Sequence, residues 1–216
     1  MKDQFLSLFT AFAIVGILVV TPTITSQAAE ASNPWEGTGW LIRGRVIGLI
    51  PDESDGQVGG ASAKLRVDDA ISGELDFSYF FTENIAAELV LTVTQHDVEL
   101  RGVGKISEVV VLPPTLLLQY HHPMGAFKPY VGAGVNYTVI LASDATAAIG
   151  GRDSWDDSIG FAVQLGFDYA LNDHWSINVD AKRYWLNLDA KVGPARTKAN
   201  VDVDPWLFGI GVGYRF

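Results

Sequence analysis

The chain has 216 residues, 48% of them hydrophobic, 11% aromatic and 19% charged, with 22 glycines, no cysteine and a formal net charge of −10. Those values exclude a disordered chain, a collagen-like repeat and a disulfide scaffold, and without thiols the best zinc ligand is missing. An acidic surface also repels a phosphate backbone, so no nucleic-acid partner is expected.

At the N-terminus Lys2 precedes an apolar run from Phe5 to Val20, broken only by Ser7 and Thr10 and followed by small residues around Ser26, Ala28 and Ala29. This pattern is a secretory signal peptide over residues 1–28, with Ser26 and Ala28 at the small-residue cleavage positions. The run, about 16 residues long, falls short of the roughly 20 that a spanning helix needs. No later stretch is long and apolar enough to be such a helix. The mature chain, residues 29–216, is therefore one domain that is either soluble beyond the inner membrane or a membrane barrel built of strands.

From there on the hydrophobic period is two. Strands are expected over roughly 38–50, 71–81, 85–98, 109–121, 127–142, 157–171, 174–190 and 200–216. The alternation is clearest in three of them. Phe127, Val131, Val135, Tyr137, Val139 and Leu141 share one parity; Ile159, Phe161, Val163, Leu165, Phe167 and Tyr169 do the same; so do Trp206, Phe208, Ile210, Val212, Tyr214 and Phe216. Short connections at Thr82 to Asn84, His122 to Ala126 and Asn172 to Asp173 alternate with long ones at 51–70, 99–108, 143–156 and 191–199. Short turns at one end and long loops at the other describe an all-β, eight-stranded antiparallel up-and-down barrel of outer-membrane type.

The rival is a soluble barrel with a greasy interior, and side-chain volume decides against it. The apolar parity carries about forty large side chains, while an eight-stranded interior is only just wide enough for ordinary side chains to fill. The heavy parity must face lipid. The other parity supplies Gly132, Gly134, Gly160, Gly166, Gly209, Gly211 and Gly213, which suit a crowded lumen. Arg183, Gly44 and Gly48 fall on the lipid parity against the pattern. Aromatic residues near the strand ends form two girdles: Trp40, Phe81, Tyr120, Phe127, Tyr169, Trp175, Tyr214 and Phe216 on the turn side, Tyr137, Trp185 and Trp206 nearer the loops.

Sorting the inward residues by height predicts a lumen in two parts. The turn-side half holds Arg43, Arg45, Glu74, Asp76, Glu88, Lys128, Asp168, Asn178, Asp180, Lys182 and Arg215, a mixed-sign plug in which each charge needs a partner. The loop-side half holds Ile47, Leu49, Val111, Pro113, Ile140, Leu186, Leu188, Val203, Pro205 and Leu207, an apolar cup. A greasy vestibule over a charged seal suits a small hydrophobic solute that leaves sideways. Pro113, Pro114 and Pro205 remove ladder donors and so either offer an opening in the wall or mark strand ends, the fourth strand then starting at Thr115. The fourth strand, apolar on both parities, has the least defined facing. The alternative function is a small barrel whose loops mediate interaction or stress responses, with no transport path.

No enzyme, metal or cofactor site is expected. His121 and His122 point to opposite faces of a strand and cannot share a metal. His96 and His174 are isolated. Asp52, Glu53 and Asp55, or Asp153, Asp156 and Asp157, are acidic loop clusters that could hold calcium but that solvation explains better. Ser107 with His96 is the one nucleophile and base pairing available, and nothing in the sequence brings the two together.

The segments Leu112-Pro-Pro-Thr-Leu-Leu-Leu-Gln-Tyr-His121, Tyr130-Val-Gly-Ala-Gly-Val-Asn-Tyr137 and Asp204-Pro-Trp-Leu-Phe-Gly-Ile-Gly-Val-Gly-Tyr-Arg-Phe216 resemble the outer-membrane protein W family, which includes the alkane-uptake barrels. The resemblance runs through the mature chain in order, except for the loop from Pro51 to Ala70. It implies a monomeric barrel in the outer membrane of a Gram-negative bacterium, among lipids and lipopolysaccharide. The resemblance further implies a hydrophobic channel open to the outside that releases small apolar molecules into the outer leaflet, and assembly by the barrel-assembly machinery through the terminal Phe216.

Overall fold

The computed structural model describes residues 34–50, 54–58, 61–67, 70–100, 104–145, 153–192 and 197–216. The leader expected over 1–28 lies outside the described residues. The strands are β1 (Gly39–Ile50), β2 (Ser54–Val58), β3 (Ala61–Val67), β4 (Ala70–Phe80), β5 (Ile85–Thr92), β6 (Thr94–Leu100), β7 (Gly104–Leu112), β8 (Thr115–His121), β9 (Phe127–Ala145), β10 (Asp153–Trp155), β11 (Ser158–Ala170), β12 (Trp175–Val192), β13 (Thr197–Val203) and β14 (Trp206–Arg215). All pairings are antiparallel. A closed ring of eight runs β1, β4, β5, β8, β9, β11, β12, β14 and back to β1. Above it the wall continues as β12, β13, β2, β3, β6, β7 and β9, with β10 on the other edge of β12. The eight expected strands are thus eight staves, three of them interrupted: β5/β6 at Val93, β7/β8 at Pro113 and Pro114, and β13/β14 at Asp204 and Pro205.

The long loops are corrected: β9 runs to Ala145 and β10 lies within the expected loop 143–156, and β12 runs to Val192 with β13 starting at Thr197 inside the expected loop 191–199. The segment 51–70, expected as a long loop, contains the hairpin β2–β3, which carries the first two staves upward. A wall segment standing above the hydrocarbon needs no apolar parity, so its sequence offers no alternation to read. The expected loop at 99–108 likewise shortens, because β6 runs to Leu100 and β7 begins at Gly104.

The short turns are held by their own side chains. Thr82 Oγ1 accepts from the backbone N–H of Asn84 (3.2 Å) and Ile85 (3.0 Å), and Asn172 Oδ1 accepts from His174 N (2.9 Å) and Trp175 N (2.8 Å). The third turn uses Gly125 at φ 63°, a left-handed conformation that glycine adopts without a Cβ clash.

The two parities separate as the volume argument requires. Phe161, Leu165, Leu118 and Ile210 are each at least 60% exposed, whereas their neighbours Ala162, Gln164, Leu117 and Gly209 are buried. Both aromatic girdles stand on the outer face, Trp40, Tyr120, Trp175 and Phe216 at the turn side and Tyr137, Trp185 and Trp206 at the loop side. The fourth stave now has a definite facing: Thr115, Leu117, Gln119 and His121 point inward, Leu116, Leu118 and Tyr120 outward. Glycine makes the lumen passable for large groups. Gly166 is the cross-strand partner of Tyr130, and a Cβ there would sit 2.6 Å from the tyrosine ring.

A lipid-facing charge should therefore cost what the hydrocarbon demands. Replacing Ile210 with Arg is expected to destabilise the barrel by about 2–4 kcal/mol in bilayers, read from urea titrations of folded fraction. Replacing the loop-side girdle residue Trp206 with Arg should cost about 1 kcal/mol or less for the charge itself.

Candidate functional site

The lumen is built in layers. At the turn end, Leu41, Phe80 and Ala86 pack together, with His121 4.8 Å from the Phe80 ring. Lys128 Nζ lies 4.0 Å from the Phe80 ring centroid and 5.0 Å from that of Trp35, favourable cation–π distances. The segment before β1 crosses this end. Trp35 Nε1 donates to Gly125 O (3.0 Å), and Arg215 Nη2 donates to the carbonyls of Glu36 (3.1 Å) and Gly37 (2.8 Å). Arg215, expected within the plug, thus sits one layer lower and holds the N-terminal segment in place.

Above lies the plug. Arg43 pairs with Glu88 (2.9 Å) and Asp168 (2.6 Å); Arg45 pairs with Glu74 (3.2 Å), Asp76 (3.0 Å), Glu88 (3.0 Å) and Asp180 (2.5 Å); Lys182 pairs with Glu74 (2.6 Å) and Asp180 (2.9 Å). Every one of the predicted plug charges is buried. Gln119 and Gln164, not singled out in the sequence, tie the carboxylates together: Gln119 Nε2 donates to Glu88 (2.8 Å) and to Gln164 (2.7 Å), and Gln164 Nε2 donates to Asp180 (2.7 Å). Among the described residues the buried lumen holds five cations, Arg43, Arg45, Lys128, Lys182 and Arg215, against five carboxylates, Glu74, Asp76, Glu88, Asp168 and Asp180. The ion pairs run between Arg43, Arg45 and Lys182 and these five carboxylates, while Lys128 and Arg215 sit at the turn end against aromatic rings and backbone carbonyls.

The next layer is apolar and closed. Ile47, Val90, Leu117, Ala162, Tyr184 and Leu207 form one buried cluster, with Leu49 and Leu186 packed on its upper side. Of the ten predicted cup residues, Ile47 and Leu207 therefore belong to the closed layer, Pro205 is buried, and Leu49, Val111, Pro113, Ile140, Leu186 and Leu188 are half-buried; the side chain of Val203 lies outside what is described. The cup is not apolar all round. Thr92, Thr115, Asn136, Thr138 and Ser158, all inward and buried, occupy its base on the third to sixth staves. They sew the interrupted wall: Asn136 Nδ2 donates to the carbonyls of Pro113 (3.1 Å) and Pro114 (3.4 Å), Thr92 Oγ1 to Gly73 O (2.9 Å) and Ser158 Oγ to Asn187 O (2.5 Å). At Pro205 the carbonyl accepts from Tyr184 N (3.1 Å). Between the third and fourth staves the ladder stops at Val90↔Thr115 and resumes at Thr94↔Val111.

The set-aside residues stand as follows. His121 is buried with Nε2 3.0 Å from Gln119 Oε1, and His122 is exposed. Register pairs His96 with Val109 and Ser107 with Val98, so Ser107 and His96 are not opposite one another. Asp156 pairs with Lys191 (3.6 Å), and Asp157 accepts from Tyr137 OH (3.0 Å); Asp52 and Glu53 lie outside the described residues.

An eight-stranded wall, greasy outside, with paired charges within and two aromatic girdles, defines an outer-membrane β-barrel. The family model described as "OmpW family" matches residues 36–216, and the chain belongs to that family. Similar relatives include an uncharacterized outer-membrane protein, y4mB, of Sinorhizobium fredii, 41% identical over 89% of this chain and 84% of the relative, and outer membrane protein W of Vibrio cholerae, 34% identical over 94% and 96%. Another is the dibenzothiophene metabolism operon protein PahQ of Pseudomonas aeruginosa, 31% identical over 86% and 93%. The crystal structure of the outer membrane protein OprG from Pseudomonas aeruginosa superimposes with a TM-score of 0.75 at 37% identity, covering 84% of this chain and 98% of that one. The protein sits in the outer membrane of a Gram-negative bacterium, in contact with its lipids. By the usual orientation of such barrels the short turns face the periplasm.

Removing one member of the plug leaves like charges buried together. Arg45→Ala, which strands Asp76 and takes one of two partners from Glu74, Glu88 and Asp180, should cost about 3–5 kcal/mol in urea unfolding followed by heat-modifiable gel mobility. Arg183→Ala, whose partner Asp204 lies 3.9 Å away near the surface, should cost less than about 1 kcal/mol.

Proposed function

We propose that the protein takes up small hydrophobic molecules from outside the cell through the apolar cup and releases them sideways into the outer leaflet. The observation that carries this reading is the step from the closed layer at Ile47 and Leu207 to the half-buried Leu49, Val111, Pro113, Ile140 and Leu186 above it. A molecule entering from the loop end meets greasy walls and then a seal of paired charges, so the hydrocarbon beside the barrel is the favourable way out. The interrupted ladder between Val90↔Thr115 and Thr94↔Val111, beside Pro113 and Pro114, supports an opening there. On the far side of Pro113 and Pro114 the wall stays joined through Asn136 and through Tyr137 N to Pro114 O (3.0 Å). Pro205 has a smaller part in this reading, as a bend whose carbonyl remains bonded. A relative named for a dibenzothiophene metabolism operon agrees with a fused, apolar solute class. The loop-interaction alternative calls for a lumen filled to the rim, and the half-buried cup residues speak against it.

The same reading has the chain exported by its leader, assembled through the terminal strand and the exposed Phe216, and working as a monomer among lipopolysaccharide. The test is a charge placed in the cup. In cells expressing Leu49→Asp or Leu186→Asp, the protein-dependent initial uptake of a long-chain alkane should fall about tenfold or more, because an unpaired carboxylate makes the path polar. Unchanged uptake by a variant with normal heat-modifiable mobility would count against the apolar path.

A further inference from the structure

We propose that the base of the cup is a head-group site that selects amphiphiles carrying a hydrogen-bond donor, such as alkanols and alkylphenols, over equally apolar molecules carrying only acceptors. This rests on the uptake reading and names the solute class within it.

The site is the pair Thr138 and Ser158, directly opposite one another in the β9–β11 ladder and both inward, at 3% and 6% exposure. Ile140, the next inward residue of β9, stands above Thr138. Ser158 Oγ reaches the carbonyl of Asn187, between the half-buried Leu186 and Leu188 of β12. Two hydroxyls therefore sit under a greasy wall on both sides.

Their hydrogens are already committed. Asn136 Nδ2 faces the carbonyl oxygens of Pro113 and Pro114, which can only accept, so the amide orientation is fixed with Oδ1 toward Thr138. Thr138 Oγ1, 2.7 Å from Asn136 Oδ1, must then be the donor. Ser158 likewise donates its one hydrogen to the Asn187 carbonyl. The neighbouring backbone N–H of Ile140 is taken by Asp157 Oδ1 at 3.2 Å. What this corner offers a solute is oxygen lone pairs. A hydroxyl or phenol O–H can donate to them, whereas an ether, ester or ketone of the same size loses water and gains no partner.

The test compares 1-decanol, decyl methyl ether and decane in cells with and without the protein, taking the protein-dependent part of each initial uptake rate. The wild type should favour decanol over the ether by about three- to tenfold, the worth of one net hydrogen bond. The double variant Thr138→Val, Ser158→Ala should bring that ratio close to one, and Thr138→Ser, which keeps the oxygen, should preserve it. A wild-type ratio near one with decane still taken up would overturn the head-group site alone, as would a double variant that retains the preference. Loss of protein-dependent uptake for all three solutes would overturn the uptake reading itself.

Discussion

Backbone hydrogen bonding in hydrocarbon is the constraint from which the rest of this structure follows. With no water in the bilayer core, each strand must give its N–H and C=O groups to two neighbours, and only a closed ring satisfies all of them. Here the ring closes at eight, through the β1–β14 ladder from Leu41↔Arg215 to Ile50↔Trp206. Eight staves enclose a narrow interior, so one parity must carry the bulk outward and the other must be thinned by glycine. Gly166 beneath Tyr130 and Gly209 beside Asp180 are where that thinning admits a large or charged group.

A narrow interior lined by the polar parity then has its own problem, which is charge. Three cations, Arg43, Arg45 and Lys182, hold five carboxylates as one network, and Arg45, bridging four of them, is its centre. The network fills the turn-side half of the lumen. Polarity then steps twice along the axis: paired charges give way to the packed Ile47, Val90, Leu117 and Leu207 layer, and that layer to a cup with greasy walls and a hydroxyl base. In the proposed uptake, those steps set the chemistry of passage more than any single side chain does. Where the wall kinks, at Pro113 and Pro114, the Asn136 amide replaces ladder bonds, and its Oδ1 takes the hydrogen of the inward Thr138 hydroxyl.

The ring, its strand number and the facing of seven staves were legible in the sequence because lipid on one side imposes a strict period of two. The burial of the strand charges was legible for the same reason, since a charge on the polar parity of a membrane strand has nowhere to go but inward. The hairpin β2–β3 was not, because wall above the hydrocarbon carries no such period. The fourth stave was ambiguous because Leu116, Leu117 and Leu118 are alike; its facing comes from Thr115 and Gln119, whose partners lie on other staves, and from His121, packed against Phe80. Gln164, Thr138 and Ser158 were on the right parity, yet their roles depend on cross-strand register, which one strand read alone does not contain. The placement of Arg215 below the plug depends on the crossing segment at Glu36 and Gly37, far away in the chain.

The central claim is that apolar solutes reach the Ile47–Leu207 layer and go no deeper. Magnetic-resonance contacts between ¹³C-labelled decane and the protein in lipid bilayers test it directly. Contacts are expected at Leu49, Ile140 and Leu186, fading at Ile47 and Leu207. Contacts at Asp168, Tyr130 or Lys128, below the seal, would mean that the lumen is a through-path and would contradict the account.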